Sequence, residues 1–240
     1  TGQVSPVAAG TFVATAAGGL HSCGLHSSGV VECWGDDTYG QSSPPAGHTY
    51  LAVTAGFNHT CGIRNVGNAD LTGPVECWGD SSEDQLAVPF QEWFNRIDAG
   101  MNHTCALVWN GWIACWGDNA YGQTDAVTNG FYLDASAGFS HTCTANYYTG
   151  ALDCVGSNSE GQRSPPSGAF AQVSAGGYHT CGLRSSGTAE CWGRSDEGQT
   201  SAPTGFFLAV EAGGWHTCGL RAGNVVECWG GTSASITAVP

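Results

Sequence analysis

Residues 175–199 read AGGYHTCGLRSSGTAECWGRSDEGQ, and the rest of the chain is a set of variations on them. The step Ala-Gly-x-x-His-x-Cys recurs six times, at Ala17 to Cys23, Ala55 to Cys61, Ala99 to Cys105, Ala137 to Cys143, Ala175 to Cys181 and Ala212 to Cys218. Successive first cysteines are 38, 44, 38, 38 and 37 residues apart. A second cysteine follows each, and five of the six (Cys33, Cys77, Cys115, Cys191, Cys228) precede Trp-Gly, while Cys154 precedes Val155-Gly156. A Gly-Gln pair closes most units: Gly40-Gln41, Gly122-Gln123, Gly161-Gln162 and Gly198-Gln199, with Asp84-Gln85 in the second. Self-similarity at such a period is the mark of a propeller or an array.

The segments between these markers have strand length. Tyr50 to Thr54, Phe170 to Ser174 and Phe207 to Glu211 run into Ala-Gly, His-Thr-Cys-Gly-Leu opens a second strand, and Val30 to Trp34 and Thr188 to Trp192 form a third, entered through Ser-Ser-Gly turns. No segment of ten residues has helical periodicity. The expected fold is all-β: a single domain over 1–240, a six-bladed β-propeller with about 38 residues per blade. Gly2-Gln3 matches the mid-repeat Gly-Gln and the chain stops soon after Trp229-Gly230, so one blade is expected to be closed by both termini.

The twelve cysteines read as six hairpin staples, Cys23 with Cys33, Cys61 with Cys77, Cys105 with Cys115, Cys143 with Cys154, Cys181 with Cys191, and Cys218 with Cys228. Four pairs have nine residues between them, centred on Ser28, Asn110, Ser186 and Gly223, in or beside the turn. Residues equidistant from a turn face each other across an antiparallel pair, close enough for a bridge. The extra residue of repeat four is expected as a bulge, and the six extra of repeat two as a longer loop over Asn65 to Pro74. Each bridge closing an 11-residue loop is worth roughly 2.5–3 kcal/mol. Tight zinc-type spacings are missing, and six bridges imply an oxidising, extracellular compartment.

The net charge is −14 and all six basic residues are arginine. That balance disfavours a nucleic-acid partner and an anionic membrane, and no apolar run is long enough to span a bilayer. The start at Thr1, without a charged-then-apolar leader, fits a mature secreted chain or an excised domain.

The unit Ala-Gly-Gly-x-His-x-Cys-x-Leu…Gly…Glu-Cys-Trp-Gly…Gly-Gln…Pro resembles the repeat of the regulator of chromosome condensation family. The resemblance implies a β-propeller, commonly of seven longer repeats. The cysteine-bearing form resembles the ectodomains of crinkly-type plant receptor kinases, and the short Trp-Gly-Asp form resembles secreted bacterial propellers that inhibit β-lactamases. The family's nucleotide-exchange and chromatin activities are not expected of an acidic, disulfide-bonded chain.

Repetition itself sorts the candidate sites. His21, His59, His103, His141, His179 and His216 recur in every unit, as expected of histidines bonded to backbone carbonyls; the sharper alternative is a ring that binds a metal or an anion. Trp34, Trp78, Trp116, Trp192 and Trp229 are expected to pack between blades. The two residues between Ala-Gly and His vary, and their large members, Leu20, Phe57, Met101, Phe139, Tyr178 and Trp215, are expected either to form a partner-binding rim or to plug an axial channel. Trp109, Trp112, Tyr147 and Tyr148 on hairpin turns form a second candidate surface, with Trp93 and Phe94 before it. Asp36-Asp37, Asp80 and Asp118-Asn119 could supply oxygens to calcium, though plain turn chemistry serves as well, and Asn58-His59-Thr60 and Asn102-His103-Thr104 are glycosylation sequons. No nucleophile elbow, phosphate loop or zinc-protease motif occurs. The expectation is a non-enzymatic, cofactor-free, extracellular binding module for a protein or glycan, with a secreted enzyme inhibitor or a unit of an extracellular assembly as alternatives.

Overall fold

The computed structural model describes residues 11–90, 92–125 and 130–231. Among them are eighteen strands and no helix, arranged as six three-stranded antiparallel sheets, one per repeat. The sheets comprise Phe12–Ala17, His21–His26 and Val31–Gly35; Tyr50–Ala55, His59–Arg64 and Val75–Gly79; Phe94–Ala99, His103–Val108 and Ile113–Gly117. They continue with Tyr132–Ala137, His141–Asn146 and Leu152–Gly156; Phe170–Ala175, His179–Arg184 and Ala189–Gly193; Ala209–Ala212, His216–Arg221 and Val225–Gly230. The chain divides into two compact units, Thr1–Ala120 and Tyr121–Pro240, with three sheets in each. Gly2-Gln3 and the last nine residues, which bear on the expected closure of one blade, lie outside the described residues.

Each sheet is built in the same way. In five of them the register shifts near the start of the first strand, as at Phe12/Ala14, Tyr50/Ala52 and Phe170/Gln172. In repeats one, two and five the aromatic residue at that bulge lies over the middle strand, where glycine leaves room for it: a Cβ on Gly62 would stand 2.6 Å from the Tyr50 ring. The same ring meets the repeat's tryptophan, with centroids 5.7 Å apart for Tyr50 and Trp78 and 6.0 Å for Phe170 and Trp192. Phe94, Phe170 and Phe207 are fully buried.

All six disulfides join the middle and last strands of one sheet, between directly opposed residues such as Cys23 and Cys33 or Cys181 and Cys191. No free cysteine is present. The extra residue of repeat four does not make a strand bulge. Cys143 and Cys154 pair in unbroken register, and the residue enlarges the turn, where Asn146 N–H reaches Ala151 O at 2.9 Å. A longer turn leaves the buried strand faces in phase, whereas a bulge would have shifted one of them.

Neighbouring sheets within a unit are joined by one repeated set of buried bonds. The backbone carbonyl of Gln41 accepts from Thr60 Oγ1 at 2.8 Å and from Trp78 Nε1 at 3.1 Å. The carbonyl of Gln162 does the same for Thr180 and Trp192, and that of Gln199 for Thr217 and Trp229. Histidine completes the joint. His21, His59, His141 and His179 each place Nε2 2.7–2.8 Å from the threonine hydroxyl of the next sheet. Thr60 and Thr180 spend their single proton on the carbonyl, so His21 and His141 must carry the proton on Nε2 and donate it. The repeated histidines therefore bond a neighbouring hydroxyl rather than backbone carbonyls.

Candidate functional site

In the first five sheets the turn between the first two strands is bonded to the exit of the last strand. Asp36 N–H donates to Leu20 O at 2.9 Å, Asp80 N–H to Asn58 O at 2.9 Å, and Arg194 N–H to Tyr178 O at 2.9 Å. The variable turn pair and the loop after Trp-Gly thus share one end of the sheet. The turns also bond one to the next. Gly19 N–H reaches Gly56 O and Phe57 N–H reaches Met101 O in the first unit, and Phe139 N–H reaches Gly176 O and Gly177 N–H reaches Gly213 O in the second.

In the second unit this ladder brings three of the expected residues together. Phe139 and Tyr178 meet edge to face with centroids 5.7 Å apart, and Tyr178 and Trp215 lie 5.6 Å apart. Glycine makes the cluster possible: a Cβ on Gly177 or Gly214 would come within 3.1–3.3 Å of the Phe139 ring. Trp215 is 43% exposed, and Phe139 and Tyr178 are half-buried. Arg194, which composition alone did not mark as a site residue, caps the cluster. Its guanidinium carbon lies 4.9 Å from the Trp215 ring and 5.8 Å from that of Tyr178, and Nε donates to Asp196 Oδ2 at 2.9 Å. The signal for it was present: the residue after Trp-Gly is Asp36, Asp80 and Asp118 in the first three repeats, then Ser157, and only in the fifth a cation.

In the first unit Leu20 and Phe57 are exposed and Met101 is half-buried, with the Phe57 ring against Gly19. The hairpin turns at the opposite ends of the sheets carry the other expected set. Trp109 is 63% exposed beside Trp112, and its N–H bonds Trp93 O at 2.9 Å. Tyr148 is 74% exposed and packs edge to face on Tyr147 and Phe131 at 5.3 and 5.9 Å. Phe94 differs from Trp93: it is wholly buried and belongs to the core.

The Asp-rich loops use their oxygens internally. Asp36 accepts from Thr38 and Gln41, and Asp37 from Ser42 and Ser43, and these bonds hold both carboxyls below their ordinary range. Among the described residues no group of three or more His, Cys, Asp or Glu is placed to hold a metal ion. The sequon residues Asn58 and Asn102 are half-buried, while Thr60 and Thr104 are completely buried in the joints between sheets.

The profile of the Regulator of chromosome condensation (RCC1) repeat matches residues 12–41 and 170–199, which are two of the six copies. Two of its six repeats match the RCC1 repeat. Solved structures extend the likeness to nearly its full length. The CRINKLY ectodomain of the Arabidopsis thaliana receptor kinase ACR4 is 28% identical with a TM-score of 0.79, covering 91% of this chain and 80% of that one. The ectodomain of the Physcomitrella patens receptor kinase CR4 is 29% identical with a TM-score of 0.77, covering 94% of this chain and 66% of that one. Prp20p from Saccharomyces cerevisiae, whose structure was described with its binding to Gsp1p and histones, shares the fold at 17% identity, with a TM-score of 0.77 and coverage of 91% and 72%. By sequence, no curated protein matches the chain. The fold class of the chain is therefore the β-propeller, with six three-stranded blades and a disulfide in each. The aromatic cluster and Arg194 stand on the end of the sheets that carries the variable turn pair.

Proposed function

We propose that this propeller is an extracellular recognition module rather than an enzyme, and that it takes a protein or glycan partner on the variable turns of its blades. The observation that carries the reading is the Phe139, Tyr178 and Trp215 cluster with Arg194 across it. Aromatic side chains and arginine supply most binding energy at protein interfaces, because they offer large rigid area and oriented donors. They stand here where the repeat is free to vary, on a scaffold that the joints between sheets hold rigid. Six disulfides and the likeness to two receptor ectodomains support the extracellular placement. Prp20p, which shares the fold and was described with its binding to Gsp1p and histones, supports a protein as one class of partner.

The test is a comparison of wild type with Tyr178→Ala/Trp215→Ala, each immobilised and offered a panel of secreted proteins and glycans from the source. The expected result is a partner retained by wild type and lost by the variant at unchanged thermal stability. Identical retention by both proteins would refute the reading. Mass measurement before and after reduction checks the compartment, with a gain of twelve hydrogens expected from the twelve paired cysteines.

A further inference from the structure

In the first five repeats the glutamine of the Gly-Gln step, Asp-Gln in the second, folds the loop that follows the last strand. Its Oε1 accepts a backbone N–H two residues back, from Tyr39 to Gln41 at 2.8 Å, Glu83 to Gln85 at 2.7 Å, Glu160 to Gln162 at 2.9 Å and Glu197 to Gln199 at 2.9 Å. That bond fixes which way the amide faces and turns Nε2 towards the residue five positions back. Gln41 Nε2 donates to Asp36 Oδ2 at 2.6 Å, Gln85 Nε2 to Asp80 Oδ2 at 3.5 Å, and Gln162 Nε2 to Ser157 Oγ at 3.4 Å.

Repeat five breaks this pattern. The residue five before Gln199 is Arg194, which can only donate. Gln199 is 0% exposed, its Oε1 is held by Glu197 N–H, and its Nε2 has no hydrogen-bond partner. Arg194 lies instead over Trp215 and Tyr178, held by Asp196. Where repeats one and two have a carboxylate of their own, repeat five has a buried amide donor, a guanidinium and two aromatic rings. The sole carboxylate oxygen of this loop that is buried without a partner, Glu197 Oε2, is not hydrogen-bonded to Gln199.

We propose that repeat five is a carboxylate-recognition site, which takes the acidic group of a peptide partner in the place that Asp36 fills in repeat one. Gln199 Nε2 and the Arg194 guanidinium donate to the incoming carboxylate, and Tyr178 and Trp215 pack against the residue that carries it. Charge-assisted bonds of this kind are the strong ones, and a buried donor already stripped of water costs nothing further to desolvate. The proposal rests on the reading that the turns of the second unit bind a partner, and it names the chemistry that they select.

The test uses the side-chain amide resonances of Gln199 in the whole protein. The probes are N-acetyl-Gly-Gly-Trp with a free C-terminal carboxylate, the same peptide as its C-terminal amide, and methyl glucuronide. The expected result is a saturable shift of the Gln199 amide with the acid peptide, and binding weaker by about tenfold or more for the amide peptide. Arg194→Asp restores the chemistry of repeat one, so it should fold and lose the response. Glu197→Gln removes a nearby negative charge and should strengthen it. Equal shifts from acid and amide, a response to the glucuronide alone, or an undiminished response in Arg194→Asp would each overturn the proposal. If Arg194→Asp keeps a panel partner that Tyr178→Ala/Trp215→Ala loses, the carboxylate site falls while the aromatic recognition surface stands; if no partner is found at all, both fall.

Discussion

His59 and His179 are buried in the joints between sheets, and burial pushes both down to about 4 from an ordinary 6.5. Each gives its Nε2 to a threonine hydroxyl of the next sheet, while Nδ1 has no hydrogen-bond partner, so a second proton would enter an unsolvated site. The unfolded chain takes up these protons as pH falls below 6.5, and the native chain refuses them until about 4. Stability is therefore complete above 6.5 and is lost progressively as pH falls from there towards 4. Glu211, raised by burial, opposes this trend weakly, and Asp36 and Asp37 act at lower pH, below their ordinary 3.8. Denaturant midpoints measured between pH 7 and 4 should fall steadily, and His59→Gln should flatten the curve while lowering its plateau. A midpoint independent of pH over that window would contradict the buried neutral histidines.

Elements in this fold depend on glycine where two turns pass each other and on sulfur where two strands face. A Cβ on Gly177 would lie 2.4 Å from Gly214 O, a backbone atom that cannot rotate away. Gly177→Ala should therefore push the two turns apart, at a cost of about 1–3 kcal/mol. The Phe139, Tyr178 and Trp215 contacts should loosen with it, read out as a loss of ring-current shifts. Gly40, by contrast, has nothing within 4 Å, but its φ of +83° penalises any side chain. The bridges can be ranked by the length of chain they close. Cys61–Cys77 spans 16 positions and Cys105–Cys115 spans 10, so double serine replacement should cost slightly more in the former, about 3 kcal/mol against 2.5–3. Chemical denaturation of the two variants checks the order.

The whole chain carries −14 with six arginines to offset twenty carboxylates. Arg184 with Glu190 and Arg221 with Glu227 pair locally beside Phe170 and Phe207, which leaves the acidic loops after Trp-Gly in the first unit without basic neighbours in sequence. Self-repulsion of this kind is screened over a Debye length of about 8 Å at physiological ionic strength. The thermal midpoint should accordingly rise as salt is increased from a low value to about 0.15 M. A falling midpoint would mean that ion pairs outweigh repulsion.

The amino-acid sequence alone determined the number of repeats, their all-β character and all six disulfides, because each of these depends on spacing within one hairpin. Cys23 and Cys33 lie equidistant from a turn, and two residues so placed must face each other wherever the hairpin goes. The part of each joint that crosses from one repeat to the next was not legible in this way. That His21 ends on Thr60 rather than on a carbonyl, and that Gln41 O serves both Thr60 and Trp78, depends on how one sheet leans on another. The same holds for the candidate site. The change from Asp to Arg after Trp-Gly is visible in the letters, but only the tertiary structure swings Arg194 over Trp215 and leaves Gln199 Nε2 buried without an acceptor. Spacing along a chain decides contacts between residues that share a hairpin; contacts between hairpins are decided by packing, where side-chain shape and hydrogen-bond direction act together.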